Sequence, residues 1–198
     1  SIVPADAFAG APDIRDKELN RYFARICERG ALLTVIFDSC HSGSGTRSRY
    51  NPQAPVVRAL AKVEEDARDN YRAVRLEEKG ALILSAAQDY QLAKEIQQGH
   101  GNDRHGAFTF AFLKALSHAP ANESAANIFA STSAIMKYHG FSEQHPVIEA
   151  SAERQARGLL GLQGRNFSEP VVSVIKQGAD GTWLLQGGYG MGIEKGAV

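Results

Sequence analysis

The chain has 198 residues, of which 43% are hydrophobic and 22% are charged, values typical of a globular protein with one ordinary domain and at most a small appendage. Its formal net charge is zero, which argues against a nucleic-acid or acidic-membrane partner, and no apolar run approaches the roughly 20 residues that a membrane helix needs. The two cysteines are too few for a disulfide framework or a zinc site, so we expect a cytoplasmic protein with no metal and no cofactor.

The first elements predicted along the chain are a helix and a buried strand. Apolar residues recur at helical spacing between residues 16 and 29, and Gly30 is a suitable stop. Residues 31–37 form a short apolar run, which is typical of a buried, parallel strand. A loop rich in Ser, Gly, Arg and Pro follows over residues 39–55. The charged segment 56–78 permits either a helix or a mobile insertion.

The middle of the chain predicts two more strands and two more helices. A second buried strand is followed by a loop with a short extended piece, by two helices, and by a third short strand. The second of these helices can begin at a Ser124 cap. In chain order the segments are residues 81–85, 88–103, 107–117, 124–138 and 146–149. This alternation of strands and helices predicts a layered α/β domain.

The composition changes in the last part of the chain. Residues 170–175 and 182–185 are β-rich, and an Asp-Gly pair between them predicts a hairpin. We therefore expect a domain over residues 1–160 and a β-rich tail, or the start of a small β domain, over residues 165–198.

A polar run follows the first buried strand directly, at the end where α/β folds bind ligands: Asp38-Ser39-Cys40-His41-Ser42-Gly43. A cysteine nucleophile needs exposure, a base, and backbone N–H groups that hold the oxyanion. A tight Ser/Gly loop after a rigid strand can supply exposure and N–H donors. The residues alone leave open the usual role of a lone cysteine, a small buried side chain, which is the role we expect for Cys27 within its helix.

The hexapeptide 38–43 resembles the nucleophile motif of metacaspases and their bacterial relatives, in the caspase-like clan of cysteine peptidases. Further segments resemble the same family in the same order, and together they cover roughly residues 1–150: Ser1 to Asp6, Ile14 to Leu19, Leu84-Ser85-Ala86-Ala87-Gln88-Asp89-Tyr90-Gln91 and His105-Gly106-Ala107-Phe108-Thr109-Phe110. The resemblance implies a cysteine endopeptidase with a three-layer α/β/α sandwich around a mostly parallel sheet.

The resemblance assigns the nucleophile to Cys40 and part of the oxyanion hole to its backbone N–H. The family's base is a histidine in a Ser-Gly-His-Gly motif, which in caspases lies about 50 residues before the cysteine. This chain has no such motif, and none of its histidines matches that position. Because the chain starts at Ser1 without a Met, we expect the histidine on a preceding segment, either on a separate chain or in a longer protein.

Asp38 predicts what the enzyme cleaves. In metacaspases the aspartate at this position lines an acidic pocket for P1, the residue whose carbonyl is attacked, whereas caspases that prefer P1 Asp have a neutral residue there. The resemblance therefore implies cleavage after Arg or Lys, with Arg able to form bidentate contacts. Asp89 and Gln91 match the downstream substrate-lining segment. An alternative role for Asp38 is to cap the Ser/Gly turn.

The sequence departs from the family at the positions that bind activating calcium. Asp16-Lys17 replaces an Asp-Asp pair, and the run 45–49 carries Arg47 and Arg49 where another aspartate is expected. Because cations replace oxygen ligands, we predict calcium-independent activity. Activation by proteolysis is an alternative route, since basic residues in and near the charged segment are possible self-cleavage sites: Arg47, Arg49, Arg68, Arg72, Arg75 and Lys79.

Two rival functions remain open. The fold can serve as a catalytically inactive scaffold or partner-binding module whose histidine has been lost, and the sequence before Ser1 would distinguish this from a peptidase. A hydrolase using Ser39 or Ser42 is the second rival, although no Gly-x-Ser-x-Gly elbow surrounds either serine.

Overall fold

The computed structural model describes residues 2, 4–39, 72–88, 91–97, 104–162 and 174–185, so Cys40 and Asp89 lie outside the described residues. Its helices are α1 Asp16–Glu28, α2 Ala107–His118, α3 Ala125–Tyr138 and α4 Ala152–Ala156. Its strands are β1 Thr34–Phe37, β2 Leu82–Ser85, β3 Glu95–Gln97, β4 Arg104–Gly106, β5 Val147–Glu149, β6 Val174–Gln177 and β7 Trp183–Leu185. Short 3₁₀ helices span Ala7–Ala9 and Leu76–Lys79.

A three-stranded sheet in the order β1-β2-β5 forms the centre of the described structure. Strands β1 and β2 are parallel, with Thr34 opposite Leu82 and Phe37 opposite Ser85. Strand β5 is antiparallel to β2, so the described sheet is mixed rather than mostly parallel. All four residues of β2 are buried, as expected for a strand covered on both faces.

The side chains of the sheet alternate between two hydrophobic clusters because successive strand residues point to opposite faces. Leu82 and Leu84 pack with buried residues of α2 and α3, among them Phe108. Ile83 and Val35 pack on the other face with Ala24 of α1 and with the 3₁₀ helix at residues 76–79. Helices therefore cover both faces, which confirms the predicted three-layer α/β/α arrangement.

The predicted boundaries of α1, α2 and α3 agree with the structure to within one residue, whereas β1 begins three residues later than predicted and β6 ends two residues later. Ser124 caps α3, because its Oγ accepts a hydrogen bond of 3.1 Å from the backbone N–H of Asn127. The Asp-Gly turn joins β6 and β7, which pair antiparallel as a hairpin. Strand β3 lies within residues 88–103, where a short extended piece was predicted, whereas its hairpin pairing with β4 and the short helix α4 were not predicted. None of the helices in the described ranges is long and apolar enough to cross a membrane.

Arg154 of α4 is a buried cation that ties the end of the domain to the start of β1. Its guanidinium donates to the carbonyl oxygens of Gly158 at 2.9 Å and Leu159 at 2.8 Å, and to Oγ1 of Thr34 at 2.8 Å. The Thr34 hydroxyl in turn donates to the Leu159 oxygen at 2.6 Å. Burial, and then the nearby charge of Arg157, lower the pKa of Arg154.

Substitution of Arg154 by methionine is expected to lower the free energy of unfolding by about 3 kcal/mol, because it leaves buried acceptors without their donor. Methionine is chosen because it keeps the apolar stem of the arginine side chain. Urea unfolding monitored by circular dichroism measures the loss. Arg157→Met is the matched control, since the Arg157 side chain forms an exposed ion pair with Glu153 and its loss should cost under about 0.5 kcal/mol. Equal losses in the two variants would contradict a structural role for the Arg154 bonds.

Candidate active site

The loops that follow β1 and β2 leave the sheet at the same edge, because parallel strands place their carboxyl ends together. The backbone N–H of Ala86, just after β2, donates to the carbonyl of Phe37, the last residue of β1, at 2.9 Å. Asp38 is the next residue after β1, and Cys40 follows two positions later, outside the described residues. The motif at residues 38–43 therefore begins directly at the end of β1, which is hydrogen-bonded to the residue that follows β2.

The Asp38 carboxylate lies against the beginning of α2. Its Oδ2 accepts a hydrogen bond of 2.6 Å from Oγ1 of Thr109, the third residue of that helix. Gly106 precedes the helix, and a Cβ added there would overlap the carboxylate of Asp38. The backbone of Gly106 has φ −60° and ψ 134°, which any residue can adopt, so the glycine is required by space and not by conformation.

The second carboxylate oxygen of Asp38 is covered from solvent and makes no hydrogen bond within the described part of the chain. A buried acceptor without a donor costs about 1–3 kcal/mol, so such an atom in a native site calls for an explanation. The start of a helix offsets part of this cost because the helix dipole favours negative charge there. Asp38 is therefore held through Oδ2 and retains Oδ1 as an acceptor.

Gln91 connects the loop after β2 to the loop before β5. Its Oε1 accepts from the backbone N–H of His145 at 2.9 Å, and its Nε2 donates to the carbonyl of Glu143 at 3.1 Å. Nε2 also lies 2.5 Å from Nδ1 of His145. These contacts occupy the amide with the protein's own groups. The substrate-lining role of Gln91 stays a prediction, as does that of Asp89.

Gln144 forms hydrogen bonds to both ends of the segment 86–94, a role that was not predicted from the sequence. It is buried, and its Nε2 donates to the carbonyl of Ala86 at 2.8 Å while its Oε1 accepts from the backbone N–H of Lys94 at 2.9 Å. The segment 86–94 is thus bound at both ends by one side chain. No sequence pattern reveals this role, because a glutamine between Glu143 and His145 is typical of an exposed loop.

Two of the described histidines, His118 and His139, are held by contacts elsewhere in the fold, whereas His145 contacts Gln91. His118 lies at the exposed end of α2 and bonds to the carbonyl of Lys114 at 2.8 Å. His139 ends α3 and packs edge-on against Phe110, with ring centroids 5.0 Å apart. Burial, and then the charge of Lys114, lower the pKa of His139. A base supplied by a preceding segment stays a prediction.

Cys27 is a half-buried free thiol on α1, where it packs against the cluster that contains Val35. Burial raises the pKa of this thiol, although the nearby Lys79 acts in the opposite direction. A raised pKa leaves little thiolate near neutral pH, and the thiolate is the form that attacks a carbonyl. Cys27 is therefore poorly suited to be a nucleophile, as expected from its place within a helix.

A family model for the caspase domain matches residues 2–156 of the chain. The chain belongs to the caspase-domain family. Membership makes it a cysteine-type peptidase, a hydrolase that acts on protein substrates, and it confirms the caspase-like fold expected from the motif at residues 38–43. A search of curated proteins gave no match to the chain.

Caspase-domain membership leaves the metal question to the residues themselves. Within the described ranges, no group of three or more His, Cys, Asp or Glu side chains is arranged to hold a metal ion. Asp16 and Lys17 open α1 as expected, whereas Arg47 and Arg49 lie outside those ranges. Calcium independence therefore stays a prediction.

Proposed function

We propose that this protein is a cysteine endopeptidase of the bacterial metacaspase type that cleaves after Arg or Lys, with Cys40 as nucleophile and a histidine on a preceding segment as base. The observation that carries the specificity is Oδ1 of Asp38, the first residue of the motif at residues 38–43, which is covered from solvent and has no hydrogen-bond partner among the described residues. We also propose a cytoplasmic location, where the free thiol of Cys27 stays reduced.

The choice of Cys40 follows from family membership and from the state of the other cysteine. A cysteine peptidase needs a reactive thiolate, the chain has two cysteines, and burial raises the pKa of Cys27, which disfavours its thiolate. In the proposed reaction, Sγ of Cys40 gives its proton to the histidine and attacks the scissile carbonyl carbon. The C–N bond then breaks, the histidine protonates the leaving amine, and water hydrolyses the thioester.

A basic P1 side chain matches the charge and hydrogen-bonding needs of Asp38. An ammonium or guanidinium group supplies the donor that Oδ1 lacks, and the pair forms away from solvent, where opposite charges attract more strongly. A P1 aspartate would instead place two carboxylates side by side. Asp38 therefore favours P1 Arg or Lys and disfavours P1 Asp.

The position of β1 supports a preceding segment. Among the described strands β1 pairs with β2 alone, and Ile36 of β1 is 43% exposed. Leu32, just before β1, is 47% exposed. A further strand hydrogen-bonded to this edge would cover both side chains, and a parallel strand would end beside Asp38. We propose that such a segment delivers the catalytic histidine next to Cys40.

Self-cleavage is proposed as the activating step, and the structure narrows its sites. Arg75 forms ion pairs with Glu77 at 2.7 Å and Glu78 at 3.0 Å, and Lys79 pairs with Glu28 at 3.0 Å. Lys79 lies within the 3₁₀ helix Leu76–Lys79, which is not the extended conformation that a peptidase binds, whereas Arg75 precedes that helix with an extended backbone. We therefore propose processing at the remaining basic residues, Arg47, Arg49, Arg68, Arg72 and Arg75.

Peptide libraries with a varied P1 residue test the proposal directly in the full-length protein. We expect kcat/KM for P1 Arg or Lys to exceed that for P1 Asp by at least about 100-fold, the discrimination that a buried charge pair provides. EDTA should leave the rates unchanged if the activity is calcium-independent. A preference for P1 Asp would contradict the role of Asp38. Complete inactivity, together with no upstream Ser-Gly-His-Gly motif, would support the inactive scaffold instead.

A further inference from the structure

We propose that Thr109 is a positioning residue that sets P1 specificity by fixing the Asp38 carboxylate through one oxygen, so that the other oxygen receives the basic group of the substrate. This inference rests on the proposed function of Asp38. It starts from the 2.6 Å hydrogen bond between Thr109 Oγ1 and Asp38 Oδ2, two residues separated by 71 positions in the chain.

The Thr109 hydroxyl forms this bond in place of a common local one. Helical Ser and Thr hydroxyls can bond back to the carbonyl four residues earlier. In α3 this is what Thr132 and Ser133 do, donating to the carbonyls of Ile128 at 2.8 Å and Phe129 at 3.0 Å. Thr109 lies in the first turn of α2, and its hydroxyl instead crosses to the residue that follows β1.

The hydrogen bond from Thr109 restricts the rotation of the Asp38 carboxylate. Rotation about the last torsion of an aspartate is broad, so a carboxylate held at no oxygen presents either one in many directions. Here Thr109 holds Oδ2, and the carboxylate occupies the space that a Cβ on Gly106 would fill. The carboxylate is therefore held at Oδ2 by Thr109, and Oδ1 is the oxygen left for a substrate.

The start of α2 is itself anchored, which makes Thr109 a rigid support. The backbone N–H of Ala107, the first residue of α2, donates to the carbonyl of Lys94 at 2.9 Å. The N–H of Lys94 donates in turn to the buried side chain of Gln144 at 2.9 Å. The hydroxyl that orients Asp38 thus belongs to a helix start that Lys94 and Gln144 hold in place.

Thr109→Val tests the inference because valine keeps the branched shape and removes the donor. In the full-length protein we compare P1 Arg with P1 citrulline, its uncharged isostere. The Arg-to-citrulline ratio of kcat/KM should fall about tenfold, equivalent to about 1.4 kcal/mol, mainly through a raised KM for Arg. Thr109→Ser, which keeps the hydroxyl, should stay within about threefold of the unaltered protein.

A second readout separates positioning from general damage. The rate of inactivation by iodoacetamide, a small reagent that needs no P1 pocket, should change less than about twofold in Thr109→Val because the nucleophile is unaffected. Thermal melting checks the fold, and Thr109→Ala serves if the valine variant does not fold. Thr182→Val is the matched control, since Thr182 donates a bond of the same length, 2.6 Å, to Asp180 in the β6–β7 turn. Its ratio should not change.

Three outcomes would overturn the inference: an unchanged Arg-to-citrulline ratio in Thr109→Val, equal losses in the valine and serine variants, or a parallel fall in the iodoacetamide rate. Failure of the proposed function gives a different result. An unaltered protein that is active but does not distinguish Arg from citrulline contradicts the role of Asp38, whereas discrimination that survives in Thr109→Val contradicts only the role of Thr109.

Discussion

Cys40→Ala is expected to abolish peptide hydrolysis, lowering kcat by at least about 1,000-fold in the full-length protein, because the covalent step has no nucleophile without the thiol. Steady-state hydrolysis of a P1 Arg peptide measures the loss. Binding of the peptide should persist, since Asp38 is unchanged, and equilibrium titration of the variant with a labelled substrate checks this. Retained turnover in Cys40→Ala would refute the assignment of the nucleophile.

Cys27→Ala is the matched control for that experiment, since it removes the other thiol of the chain. The Cys27 side chain packs on the α1 face of the sheet with Val35 nearby, so its removal should affect stability and not chemistry. We expect kcat/KM within about twofold of the unaltered protein and a loss of about 1 kcal/mol in the free energy of unfolding. Loss of activity in a folded Cys27→Ala protein would show that the two cysteines have been assigned the wrong roles.

Asp38→Asn should lower kcat/KM for P1 Arg and Lys by about 100-fold or more, because it removes the negative charge. The amide that replaces the carboxylate can also point its N–H groups at the N–H groups of the P1 side chain. Peptides with a neutral P1 residue should lose less than about threefold. The same library that tests the proposed function measures both effects. A uniform loss for basic and neutral P1 residues would mean that Asp38 supports the fold and does not read P1.

The free energy of unfolding of Asp38→Asn provides a second, independent test of the role of Asp38. Oδ1 of Asp38 is covered from solvent and has no hydrogen-bond partner within the described ranges, an arrangement that destabilises the folded state, so a neutral isostere should leave the free energy of unfolding within about 1 kcal/mol or raise it. Asp180→Asn is the control, because Asp180 accepts the same kind of threonine bond at an exposed turn. It should not alter P1 preference.

The secondary structure was largely predictable because it follows local rules. Apolar periodicity gave α1 to within one residue at its end, and the cap at Ser124 and the Asp-Gly turn have local chemical causes. The opposite direction of β5 was not predictable, since a strand of three residues carries no signal for its orientation. Strand β3 lies within residues 88–103, where a short extended piece was predicted, but its pairing with β4 was missed because a three-residue pair has little pattern to detect.

The site was predictable only as far as its motifs are contiguous. The run at residues 38–43 and the segment at 105–110 each resemble the family, but nothing in either predicts that Asp38 and Thr109 form a hydrogen bond. That contact depends on how β1 and α2 pack in three dimensions. Gly106 is a similar case, because its need for glycine comes from the approach of a distant carboxylate and not from its own backbone angles.

The buried Arg154 has a consequence for how the protein is made. Thr34 leaves the ribosome before its partners Arg154 and Leu159, which follow 120 and 125 residues later. During synthesis the Thr34 hydroxyl therefore lacks both of these hydrogen-bond partners until nearly all of the residues matched by the family model have been translated. Contacts of such long sequence separation slow folding and favour completion after, and not during, translation of the domain. Because peptidase activity requires the folded domain, we expect no cleavage by the chain while it is still being translated.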